Sequence, residues 1–325
     1  MNARMPFIPA GGFCAIDDVL DVRFNLPVEI TAGIRFARAS PEQITEIKAC
    51  FERMGLEMIH ELRSNRYELD WVRQEDGQQR GVRMPAERWR YYILTFDLAT
   101  VEHSRVYDVL KAMNLVTPAI KSTYQFMTRE AHGVGDVQGN LWIGSEDRLT
   151  MFANPPLEVV DEGNVAQWRA VVEAFSALDL QRYEGIHRAV DLFQRARHMP
   201  LHDDFAILGL FIVIEMLLTH QPGDKEIGDS LLHQLSTKIP LLSERMPEPI
   251  DYAAFGDQMP AAKRWKRLYG LRSAIAHGNH LNYAVHGLGQ LNNGRAISQW
   301  LTAATRKLLR FALDEPSLYV HLKGV

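Results

Sequence analysis

The stretch KRWKRLYGLRSAIAHGN, residues 263–279, decides how the second half of this chain folds. At about 100° per residue with Trp265 at zero, Leu271 falls near 240°, Ile275 near 280°, Leu268 near 300° and Tyr269 near 40°. One apolar arc of that width marks an amphipathic helix, expected over residues 258–277. Arg272 falls near 340°, inside the arc, and a guanidinium between Leu268 and Trp265 needs an acceptor. Lys263, Lys266, Arg267, Ser273 and His277 lie outside the arc, with His277 about 140° round the axis from Arg272. Either the helix stops just before His277, with Gly278 turning the chain, or a second copy of the helix completes a site that one copy cannot.

The acceptor for Arg272 is expected to be Glu215. It is the only charged residue in FAILGLFIVIEMLL (205–218), and a carboxylate in an otherwise apolar helix needs a partner as much as the arginine does. The two helices should therefore be neighbours. The 205–218 run is too short to cross a membrane and reads as a buried helix, and no membrane partner is expected.

Outward from this pair, helical spacing continues through 165–178, 180–197, 201–219, 227–245 and 295–313, so residues 160–325 form an all-α bundle. The first part, residues 1–155, has a mixed α/β texture. VEITAGIRFAR (28–38) and RWRYYILTFDL (88–98) read as strands, LWIGSEDRLTMFA (141–153) as a pair of short strands, and EHSRVYDVLKAMNL (102–115) as a helix. SPEQITEIKACFERM (40–54) opens with Ser40 as N-cap, Pro41 at the first helical position and Gln43 at the capping-box position, and buries Ile44, Ile47, Phe51 and Met54. NPPLEVVDEGN (154–164) is the expected linker. The fold class is α+β: a mixed N-terminal domain followed by a helical bundle.

Composition narrows the function. With 325 residues and 46% hydrophobic content there is material for two cores. Two cysteines, Cys14 and Cys50, give no disulfide framework and no zinc pattern, which suits a reducing, cytoplasmic setting. The leading MNARMPFIPAGGF lacks the apolar core of a signal peptide. A net charge of −4 argues against a protein that coats nucleic acid non-specifically. HGVGDVQGN (132–140) has the spacing GxGxxxG without a βαβ frame, so a glycine-rich hairpin loop is expected in place of a dinucleotide site. His277, His280 and His286 lack an accompanying carboxylate or cysteine, so no metal is expected, and no cofactor.

The string from Lys263 to Gly278 resembles the signature helix of the HEPN superfamily, whose shared motif is R-x4-6-H. More narrowly it resembles the Apea-like HEPN group, in which Y-x-L-R-S-x-(I/V)-x-H-G follows a helix of the type found here as LFIVIEMLL (210–218). IGDSLLHQLSTKIPLLSERM (227–246) stands where that group has a connecting helix. The resemblance covers residues from about 180 to 315 well. Ser273 follows the motif arginine where many active members have Asn, Asp or His.

The resemblance implies a metal-independent endoribonuclease, defence- or toxin-related, that works as a homodimer through the bundle. Arg272 and His277 would be catalytic. The ribose 2′-OH attacks phosphorus, leaving a 2′,3′-cyclic phosphate and a 5′-OH, and histidine manages the protons because it titrates near neutrality. Glu215, Ser273, Asn279 and Tyr283 would support the site, the last two against base or ribose. Lys263, Arg264, Lys266 and Arg267 would hold RNA phosphates, unless they form only a solvated face. The N-terminal domain would sense a trigger or select the RNA. A non-catalytic HEPN module that binds RNA, nucleotide or protein, or one that only dimerises, fits the same residues.

Overall fold

The computed structural model describes residues 10–17, 20–53, 67–74, 78–120, 122, 124–130, 133–139, 157–197, 199, 203–220, 230–256, 259–279 and 283–323. The chain is α+β and divides into two compact units, Met1–Glu173 and Ala174–Val325.

The first unit holds every strand among the described residues. They are β1 (Gly11–Ala15), β2 (Leu20–Val22), β3 (Val28–Thr31), β4 (Ile34–Arg38), β5 (Leu69–Arg73), β6 (Gln79–Arg83), β7 (Tyr92–Asp97), β8 (Tyr124–Glu130), β9 (Gly133–Gly139) and β10 (Glu158–Val160). Six of these form one antiparallel sheet in the order β3-β4-β7-β1-β8-β9. Helix α1 (Pro41–Arg53) covers one face, where Ile44, Ile47 and Cys50 join Phe13, Ile93 and Phe126 in a single core. Its start is the expected reciprocal box: the Ser40 N–H donates to Gln43 Oε1 at 2.8 Å and the Gln43 N–H to Ser40 Oγ at 3.3 Å. The side chain of Phe51, and Met54, lie outside the described residues. Helix α2 (His103–Met113) buries Val106, Val109, Ala112 and Met113.

Three strand readings change. VEITAGIRFAR is a hairpin, β3 and β4, because Gly33 takes φ 76° and reverses the chain between them. HGVGDVQGN supplies the strand β9, whose Gly133 and Gly139 pair with Glu130 and Tyr124 of β8, so it is the second arm of a hairpin where a loop was expected. The expected linker is partly ordered into β10, parallel to β2, followed by a cap in which Asp161 and Asn164 exchange hydrogen bonds of 2.9 and 3.0 Å. The 141–153 strand pair lies outside the described residues.

Helix α3 (Glu162–Ala177) begins in the first unit. Trp168 is fully buried with its ring 5.5 Å from that of Phe36, and Arg169 donates to the Glu29 carbonyl. These contacts draw the division between units into α3 at Glu173, later than the 155–160 junction expected from composition.

The second unit contains only helices among its described residues: α4 (Glu184–Arg197), α5 (Asp204–Leu218), α6 (Leu231–Arg245), α7 (Ala261–Ala276), α8 (Gly294–Asp314) and α9 (Pro316–Lys323). α5 is central and packs against each of the other five. Its two outward apolar residues, Phe205 and Ile212, are seven apart and share one stripe, so the helix is not buried all round. Lys238 of α6 is buried and its ammonium donates to the carbonyls of Leu218 at 3.1 Å and Leu322 at 2.5 Å, tying the ends of α5 and α9 together. No helix among the described residues is long and apolar enough to cross a membrane.

Candidate functional site

α7 is amphipathic as its sequence requires: Trp265, Leu268 and Leu271 are buried, and Lys263, Lys266, Gly270 and His277 are exposed. α5 supplies its neighbour. The Phe211 ring stands edge-on to Trp265 and Tyr269, with centroids 6.4 and 6.2 Å away. One turn further along both helices, Arg272 meets Glu215. Its Nη2 donates to Oε2 at 3.2 Å, and its Nε lies 3.2 Å from Oε1 at an angle too poor for a hydrogen bond. The guanidinium also lies over the Tyr269 ring, 5.5 Å from its centroid. Tyr269 precedes Arg272 by three residues, a helix-neighbour spacing that could have flagged it in the sequence.

Burial dominates the electrostatics here. It pushes the Glu215 carboxyl above its ordinary value, and the charge and hydrogen bond of Arg272 pull back only part of that rise. The Tyr269 hydroxyl is raised for the same first reason, opposed by Arg272 and assisted by Glu215.

His277 is where α7 stops. It occupies the C-cap, Gly278 follows with φ 67°, and two bonds close the end: Gly278 N–H to the Ile275 carbonyl and Asn279 N–H to the Ala274 carbonyl, each 3.0 Å. This 5→2 and 6→1 pair is a Schellman termination. The helix therefore stops just before His277, with Gly278 turning the chain. His277 is exposed, about 140° round the helix axis from Arg272. Asn279 is exposed, and Ser273 is half-buried with its carbonyl accepting the His277 N–H at 3.1 Å.

The basic quartet does not act as one patch. Arg264 is buried, stacked over Tyr252 and Phe255 at 5.2 and 5.4 Å, so it is removed from the expected RNA-binding set. Its wheel position near 260°, inside the apolar arc, explains this. Lys263 and Lys266 remain exposed, while Arg267 is half-buried and donates to the Gly287 carbonyl at 2.5 Å. Tyr283 is likewise engaged: its hydroxyl donates to Asp204 Oδ1 at 3.0 Å, and burial together with that carboxylate pushes it up to about 12. Among the described residues no three His, Cys, Asp or Glu side chains gather as a metal site would need, and His280 lies outside them.

Compared with known proteins, the chain matches no family model, no curated sequence and no solved structure.

Proposed function

We propose that this chain is a metal-independent endoribonuclease of the HEPN type, with an N-terminal mixed α/β domain that senses a trigger or selects RNA and a C-terminal HEPN bundle. The observation that carries the reading is the Glu215–Arg272 contact between α5 and α7. Both charges had to be satisfied somewhere, and an ion pair that orients a partly exposed arginine suits a site for phosphate charge better than an apolar pair would.

In the proposed reaction one His277 imidazole accepts the proton of the ribose 2′-OH as O2′ bonds to phosphorus. His277 of a second copy, as imidazolium, gives a proton to O5′ as the P–O5′ bond breaks. Arg272 balances the negative charge that gathers on the phosphorane oxygens. A homodimer follows from this chemistry, because one histidine cannot readily serve as base and acid in the same step. A defence or toxin role would follow from the HEPN resemblance.

The test is cleavage of end-labelled RNA with EDTA present. His277→Ala and Arg272→Ala should both abolish cleavage, and the wild-type products should carry 2′,3′-cyclic phosphates. His277 is exposed at a helix end, so its alanine variant should fold. Cleavage that survives in His277→Ala refutes the assignment, and RNA binding without turnover in the wild type selects the non-catalytic module.

A further inference from the structure

His286 is one of the histidines that the reaction just described does not use. It belongs to the short 3-10 turn Tyr283–His286, which is pinned at both ends. At the front, Tyr283 donates to Asp204 at the start of α5; just behind, Arg267 of α7 donates to the Gly287 carbonyl, with Gly287 at φ 59°. Between these two anchors the His286 ring is held against α7, where a Cβ placed on Gly270 would lie 3.9 Å from Nδ1.

Gly270 is on the face that matters. Lys263, Gly270 and His277 are seven residues apart, so successive members fall within about 20° of one another and form one exposed stripe. Gly270 and His277 are about 10.5 Å apart along the axis. A glycine in the middle of an exposed helix costs about 1 kcal/mol relative to alanine, and here it leaves the helix surface bare beside His286. α7 has no acidic residue, and of its cations Lys263 and Lys266 are exposed while Arg264, Arg267 and Arg272 are buried or engaged. Asp204, whose carboxylate touches the turn, is bonded to Tyr283.

We propose that His286 is an RNA-binding residue: the turn holds its imidazole on the Lys263–Gly270–His277 stripe, where with Lys266 it takes the phosphate flanking the one beside His277. This deepens the ribonuclease reading and rests on it for the identity of the strand. The occupant is single-stranded RNA running along α7, selected by the exposed Lys263 and Lys266 on a helix without acidic residues and by a bare glycine that lets a backbone approach closely. Arg267 is a positioning residue here, acting through Gly287.

The experiment uses the full chain and a ten-nucleotide RNA methylated at every 2′-OH, which cannot be cleaved by 2′-OH attack. His286→Gln should raise Kd at least about fivefold at 0.1 M salt, and Gly270→Leu, which crowds the ring, should do the same. His286→Lys should restore binding to within about twofold, because lysine keeps a donor for phosphate while a packing role needs the ring. On the unmodified oligonucleotide His286→Gln should raise KM with kcat nearly unchanged. Binding of His286→Gln within twofold of wild type overturns the inference, as does a lysine variant that binds as poorly as the glutamine one. So does a wild type that does not bind the methylated RNA. If the wild type binds but never cleaves, and the His286 pattern holds, the nuclease reading falls and this site stands.

Discussion

Replacing Glu215 by glutamine separates what the Arg272 contact does for stability from what it does for a site. The amide keeps an oxygen for Arg272 Nη2 and loses the charge. Glu215 and Arg272 have side chains 15% and 26% exposed, and burial raises the carboxyl even with the guanidinium 3.2 Å away. A carboxyl raised on folding contributes stability that is fully present below its unfolded value, about 4.3, and is lost as pH rises through the folded value. Above that folded value Glu215 therefore costs the fold something. Losing one partner of a fully buried pair costs about 3–5 kcal/mol, but Arg272 keeps a quarter of its surface in water and the Tyr269 ring beneath it. Glu215→Gln is expected within about 1 kcal/mol of wild type at pH 7.5, a shift in Tm of no more than about 4 °C. Between pH 7.5 and 4.5 the wild type should gain on the variant. Urea unfolding at the two pH values, followed by the tryptophans of the helical unit, measures both. A loss of 3 kcal/mol or more at pH 7.5 that shrinks on acidification refutes the reasoning, since it would mean a carboxyl held below its ordinary range.

Three further outcomes are expected. Gly278→Ala should cost about 1 kcal/mol, read as a lowered Tm, because a Cβ there meets nothing within 4 Å and only the φ of 67° is penalised. Lys238→Met should cost about 2–4 kcal/mol in urea unfolding, since it strips the ends of α5 and α9 of a shared donor to Leu218 and Leu322. Lys266→Gln should weaken RNA binding and reduce its salt slope by about 1, whereas Arg264→Met should leave the slope unchanged and lower stability, a contrast seen in a salt titration.

The meeting of Glu215 and Arg272 was legible because each residue broke an apolar pattern, and a buried charge has few ways to be satisfied. The Ser40–Gln43 box and the turn at Gly278 were legible for a similar reason, being local chemistry with a fixed offset. Arg264 was misassigned because KRWKR reads as one block along the chain, while 100° per residue sends its second member inward. The hairpin at Gly33 hid inside a run of strand formers, and β9 hid inside a glycine pattern that only the ladder with β8 makes into a strand. The position of His286 depends on two contacts, Arg267 to Gly287 and Tyr283 to Asp204, that join residues 20 and 79 apart in the chain. No local pattern encodes those.

The termination of α7 at His277 turns the interval between Arg272 and His277 into a measure of angle more than of distance. A residue gained inside the helix before Ala276 would swing the imidazole by about 100° and carry it off the Lys263–Gly270 line. The same residue gained after Gly278 would only lengthen a loop. Searches for kindred chains should therefore weigh where the helix stops, and count the residues between arginine and histidine as degrees of rotation.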